Sequence, residues 1–193
     1  MKKILAILLA GAMLLCFAAC GLIGEEKEEE TTASAAVDEK QVIYLVADFS
    51  CGASEPVRKE YPVEYEDPEG DGCGVEEMAM GLTQLTGLPF TLDAVTSTNN
   101  RTMLISWAAD SVLFAGPPAE PNEAFLFFDY DSMVWFVLDS LHQTILRNIP
   151  AAAEMDVYYT MNGGEELVLE NLSPPRNFGL ETPYMGSAFY CAA

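Results

Sequence analysis

Asp131-Ser132-Met133-Val134-Trp135-Phe136-Val137-Leu138-Asp139-Ser140-Leu141-His142-Gln143-Thr144-Ile145 places Val134, Val137, Leu138, Leu141 and Ile145 at the three- and four-residue spacing of an amphipathic helix. Asp131 suits the N-cap, and Pro150 marks the end. Met133, Trp135 and Phe136 make the first half apolar nearly all round, so the helix is either deeply buried or covered by a partner. Trp135 and Phe136 are adjacent and therefore point about 100° apart. They cannot both face the core that Val134, Val137 and Leu141 face. At least one is expected under the chain's own tail or against another protein, which makes this pair the candidate partner contact.

Upstream, Val42-Ile43-Tyr44-Leu45-Val46-Ala47 is a continuous apolar, β-branched run, the pattern of a strand covered on both faces and central in a sheet. Tyr61-Pro62-Val63-Glu64-Tyr65 alternates, and Pro62, which has no N–H to give to a ladder, favours an edge. Val75, Met78, Ala79, Leu82 and Leu85 repeat at helical spacing until Gly87 and Pro89. Met103 to Trp107 and Val112 to Ala115 flank Ala108-Ala109-Asp110-Ser111, which predicts a hairpin. Downstream, Asp156 to Met161 and Glu166 to Leu169 surround Asn162-Gly163-Gly164, a turn that tolerates positive φ and predicts another hairpin. From Ser173 the chain holds three prolines and several glycines and is expected to wrap the surface without long helix or strand. The expected order is β-β-α-ββ-α-ββ, a single mixed α+β domain with two helices packed on one face of a sheet.

The N-terminus has a different character. Lys2 and Lys3, the apolar run Ile4 to Phe17 and the boundary Phe17-Ala18-Ala19-Cys20-Gly21 have the layout of an export signal, and this boundary resembles the lipobox of bacterial lipoproteins, with Phe17 where Leu is usual. The competing reading is an ordinary transmembrane anchor, for which the run is short. Residues 1–19 are thus expected to be a signal peptide and Cys20 the acylated anchor, held by palmitate-class chains at roughly 0.8 kcal/mol per buried methylene. Glu25 to Ala36 has charge and small polar residues without periodicity, so 20–40 reads as a flexible acidic stalk and 41–193 as one globular domain.

The chain has 193 residues and a formal charge of −21, and loss of Lys2 and Lys3 with the signal peptide takes it to −23. Such a field repels nucleic acid and anionic headgroups. Cys16 leaves with the signal and Cys20 carries lipid, so Cys51, Cys73 and Cys191 remain; Cys51 and Cys73 flank one loop and are the candidate disulfide in an oxidising compartment. Asp67-Pro68-Glu69-Gly70-Asp71-Gly72 has the start of a Ca²⁺ loop but Met78 at its twelfth position, so it reads as a plain acidic turn and no metal is assigned. His142 is the only histidine, no Gly-x-Ser-x-Gly elbow occurs, and no catalytic residue or cofactor is expected. Phe125, Phe127, Phe128, Tyr130, Trp135 and Phe136 form an aromatic cluster that either packs the core or lines a ligand pocket.

The stretch from Val42 to Leu169 resembles the GerMN domain of sporulation and spore-germination lipoproteins. The resemblance rests on the strand Val42 to Val46, the helix holding Ala79 to Thr86, the segment Met103 to Phe114, the helix Leu138 to Ile145, and Val157 to Gly164, where Met161-Asn162-Gly163 stands for the family's Val-Asp-Gly-like end. Gly87-Leu88-Pro89 replaces the family's Gly-Pro, and Gly116 to Ala124 looks like an insertion. The resemblance implies a non-enzymatic, membrane-anchored protein-interaction module of the cell or spore envelope, working with an envelope protein partner. The alternative is an extracytoplasmic lipoprotein that binds a small ligand or glycan. The tail after Asn171 has no counterpart in either reading.

Overall fold

The computed structural model describes residues 41–66, 72–99, 101–120, 122–127 and 129–192. The signal peptide, Cys20, the stalk, Asp67 to Asp71 of the acidic turn, and Phe128 lie outside the described residues.

The helix that opened the sequence reading is α3, Tyr130–Asn148. It starts two residues earlier than expected, because Asp129 is the cap: its carboxylate accepts from the Ser132 N–H at 2.7 Å. Asp131 sits inside the first turn and accepts instead from the Ser173 N–H of the tail at 3.1 Å. Beside α3 runs β1, Gln41–Asp48, paired antiparallel with β2, Arg58–Tyr65, in a two-stranded sheet.

The expectation that β1 is central in a sheet is corrected, because among the described residues β2 is its sole strand neighbour. Its other edge is closed by side chains of α3. Asn148 Oδ1 accepts from the Tyr44 N–H and Asn148 Nδ2 donates to the Tyr44 carbonyl, both at 2.8 Å. Thr144 Oγ1 accepts from the Val46 N–H at 2.9 Å and Ser140 Oγ from the Asp48 N–H at 3.0 Å. Four residues of helix rise about 6 Å and two residues of strand about 6.6 Å, so an i, i+4, i+8 row of polar side chains keeps step with alternate strand amides. The apolar run reports covered faces, and it needs no second strand neighbour because these side chains satisfy the free backbone edge. β2 is the edge that Pro62 predicted, with Pro62 opposite Tyr44.

Helix α1 covers Val75–Thr86 and ends on Gly87, whose φ of 75° forms the left-handed cap, as the spacing predicted. It packs on α3 and meets β1 closely: a Cβ on Gly81 would lie 3.2 Å from both Leu45 methyls.

The second sheet has the order β3-β4-β5-β6-β7: Leu92–Thr98, Thr102–Trp107, Asp156–Met161, Glu165–Leu169 and Arg176–Phe178. All neighbours are antiparallel except β4 and β5, whose parallel pairing spans the crossover that contains α3. The hairpin expected between Met103–Trp107 and Val112–Ala115 does not form. β4 pairs with Leu92–Thr98, and Val112–Ala115 is a one-turn helix, α2, ended by Gly116 at φ 77°. A four-residue apolar run fits a buried strand or a buried helical turn equally well, and here Val112 and Leu113 are buried as a turn. The β5–β6 hairpin forms as expected, with positive φ at Asn162, Gly163 and Gly164.

The fold is mixed α+β, with two sheets rather than one and the order β-β-α-ββ-α-βββ. The added strand, β7, belongs to the tail, which ends in a short helix, α4, Ser187–Cys191. That tail is part of the core: Leu172, Phe178 and Tyr184 are buried with Trp107, Phe136, Leu138 and Tyr159.

Candidate functional site

Two concavities flank the N-terminal half of α3. The first is apolar, about 410 Å³, and is built where three chain segments converge. Gly87-Leu88-Pro89 leaves α1, Pro117 and Pro118 follow α2, and Phe125, Leu126 and Phe127 lead into Tyr130 and Met133 of α3. Asn122 holds the middle segment in place: Oδ1 accepts from the Ala124 N–H at 3.0 Å, and Nδ2 donates to the Leu85 carbonyl at the end of α1 at 3.2 Å. Tyr130 OH donates a short hydrogen bond to the Leu113 carbonyl of α2. The groove is backed by aromatic rings, Phe127 and Phe125 lying 4.7 and 5.9 Å from Phe136. Leu126 is 56% exposed at its rim.

The second concavity is polar, about 300 Å³, and lies between the loop after β1, α3 and the start of α4. Asp139, buried midway along α3, accepts from Tyr184 OH at 2.7 Å and the Ser187 N–H at 2.9 Å, and takes a short bond from Ser187 Oγ. Burial raises the Asp139 carboxyl above the usual range, while the bonds from Ser187 and Tyr184 pull it back down. Across the mouth, Arg58 Nε donates to buried Asp48 at 2.7 Å.

One helical turn on, His142 stands edge-on to Tyr184 at 5.3 Å. Burial, helped by the Arg58 guanidinium and opposed by Asp48, depresses its pKa to about 4, and its buried Nδ1 has no hydrogen-bond partner. His142 is intermediate in exposure, at the boundary of the buried face of α3. Asp139, His142 and Ser187 share this pocket, but the hydroxyl bonds the carboxylate directly and accepts from the Gly52 N–H at 2.8 Å. The arrangement therefore latches the tail to α3, whereas a nucleophile relay would run from hydroxyl to imidazole to carboxylate.

The candidate partner contact is corrected. Trp135 and Phe136 are both buried, 6% and 0% exposed. They do point to different surroundings, as their spacing required: Phe136 meets Phe49, Phe125 and Phe127, while Trp135 stacks on Tyr190 at 6.0 Å and stands edge-on to Phe178. The chain's own tail covers Trp135. The aromatic cluster thus divides: Phe125, Phe127 and Tyr130 line the apolar groove, Phe136 supports it, and Trp135 belongs to the opposite face.

The pairing of Cys51 with Cys73 is corrected as well. The two are not bonded to each other. Cys51 Sγ donates to the Ser132 carbonyl in the first turn of α3, whereas Cys73 lies by Gln41 to Ile43, Asn148 and Ile149 at the other end of that helix. The length of α3 between those points is about 24 Å at 1.5 Å per residue, far beyond disulfide reach. Among the described residues no group of three or more His, Cys, Asp or Glu side chains is placed to hold a metal ion. No described helix is long and apolar enough to cross a membrane.

The apolar groove was legible only in part: its aromatic residues stood out in the sequence, but Leu88, Pro117 and Leu126 join them only in three dimensions. A scan against protein-family models finds no match, and searches of characterised proteins and of solved structures find none either, so the GerMN resemblance rests on element order and local motifs alone.

Proposed function

We propose that the mature chain is a lipid-anchored extracytoplasmic interaction module, attached through acylated Cys20, that docks an envelope protein without catalysing a reaction. The observation that supports docking is the apolar groove backed by the Phe125, Phe127 and Phe136 rings with Leu126 at its rim, a concave aromatic surface of the kind that takes a partner's anchor side chain. The Ala18-Ala19-Cys20 boundary supports the anchor. Kinship with GerMN lipoproteins of sporulation and germination is part of the proposal. It is supported by the retained elements β1, α1, α3 and β5 with its turn, and weakened by the loss of the hairpin expected over Met103 to Phe114.

The test places a photo-crosslinking residue at Leu126 and, as a control, at Met80, an exposed residue of α1. Irradiation of whole cells should give a discrete adduct from position 126 that position 80 does not give. Identical adduct patterns, or none from either position, would remove the groove as a docking surface. Lipid labelling of wild type and Cys20→Ala tests the anchor separately: label that persists in the variant refutes it.

A ligand- or glycan-binding role is the second reading, and the polar pocket favours it, because Gln143 lines it and the Arg58 side chain is 43% exposed at its mouth. Arg58→Ala would abolish binding of such a ligand while leaving crosslinking at Leu126 intact.

A further inference from the structure

We propose that Cys51 and Cys191 become joined by a disulfide in the exported protein, locking the C-terminal tail over α3. The claim uses the export reading for its oxidant and the structure for its geometry. A Cβ built on Gly52 would lie 2.6 Å from Cys191 Sγ and 2.7 Å from Cys191 Cβ, so the Cys191 side chain rests directly against the backbone next to Cys51. Consecutive Cα atoms are about 3.8 Å apart, which puts the Cys51 Cα within about 8 Å of Cys191 Cβ. Both thiols are unbonded in the structure, and the bond forms when Cys51 Sγ leaves the Ser132 carbonyl and the two Cα atoms close to within about 7 Å. Both residues sit where the backbone can make it: Cys51 is in a turn at φ 45°, and Cys191 is the last residue of α4.

Independent contacts hold the two segments together before any bond forms. The Gly52 N–H donates to Ser187 Oγ at 2.8 Å, Ser187 is fixed to buried Asp139, and Tyr190 stacks on Trp135. Burial first, then the Asp139, Asp48 and Asp129 carboxylates, and last Cys191 raise the Cys51 thiol to about 11. Cys73 lies near the far end of α3, by Asn148 and Ile149.

The oxidant is a disulfide, either of a thiol oxidoreductase or of a small molecule such as oxidised glutathione. Exposed Cys191 attacks first, because burial keeps Cys51 protonated. The Cys191 thiolate displaces one thiolate from the oxidant and forms a mixed disulfide. The Cys51 thiolate then attacks the Cys191 sulfur and releases the second. Two protein thiols lose two protons and two electrons, and the oxidant leaves as two thiols.

The test has two arms. Full-length protein is taken from membranes under alkylating conditions, digested without reduction and mapped by mass spectrometry, with lipid on Cys20 scored in the same sample. A peptide linking Cys51 and Cys191, with Cys73 alkylated, is expected. Lipid-bearing protein with Cys51 and Cys191 both alkylated would overturn the proposal, and absence of lipid would count against export alone. In the second arm, purified full-length chain is equilibrated with mixtures of reduced and oxidised glutathione. In the native chain the Cys51–Cys191 link should exceed the Cys51–Cys73 and Cys73–Cys191 links by at least tenfold, whereas in urea the short-loop pair Cys51–Cys73 should dominate, because loop closure in an unfolded chain favours the nearer partner. Equal pairing in the native chain would refute the geometry whatever the outcome in cells.

Discussion

His142 gives the sharpest quantitative test of the core beneath the tail. Its imidazole is depressed from 6.5 to about 4, mainly by burial and next by the Arg58 guanidinium. Between those values the unfolded chain binds a proton that the folded chain refuses. The stability associated with neutral His142 is therefore complete above pH 6.5 and is lost as pH falls towards 4. At 1.36 kcal/mol per pH unit this gap is worth roughly 3 kcal/mol, or about 6 to 12 °C in melting temperature for a domain of this size. Asp139 works in the opposite sense, since a raised carboxyl binds its proton more tightly in the folded state and gains stability as pH falls. His142→Gln removes the histidine contribution and leaves that background unchanged. In thermal melts from pH 7.5 to 4 the stability difference between wild type and variant should change by about 3 kcal/mol, the wild type losing more. Because His142 is the only histidine, its ring proton resonances can be followed without assignment ambiguity. Parallel melting curves, or a ring titrating near 6.5 in the folded protein, would show that the imidazole is solvated and refute the packing argument.

Trp135→Ala should cost about 3 to 5 kcal/mol in urea unfolding, because the indole is buried between α3 and the tail rather than offered to a partner. Thr144→Val strands the Val46 N–H against an apolar side chain and should cost about 1 to 3 kcal/mol, read as faster hydrogen exchange at Val46. Asp139→Ala removes the acceptor shared by Tyr184 and Ser187, and the tail beyond Phe178 should become a site of limited proteolysis while α1 stays protected.

Local pattern carried the parts of this fold that are held by neighbours in sequence. Helix α1, its stop at Gly87, the body of α3 and the β5–β6 hairpin all depend on periodicity and turn chemistry within a few residues, and each forms where the spacing puts it. The same reasoning failed where a segment's partner lies far along the chain. Leu92–Thr98 is largely polar and shows no clear alternation of burial, so it becomes a strand only by pairing with β4. Val112–Ala115 is too short for periodicity to distinguish strand from helix, and the free edge of β1 is closed by Ser140, Thr144 and Asn148, about a hundred residues away. The angular argument over Trp135 and Phe136 did require two different surroundings, but only packing decided that the tail covers Trp135 and a run of phenylalanines covers Phe136. The apolar groove, the Asp139 latch and the meeting of Gly52 with Cys191 belong wholly to tertiary structure, since each joins segments separated by 30 to 140 positions. Short-range hydrogen bonding fixes an element's type, and the burial of one element's face by another fixes which distant side chains share a site.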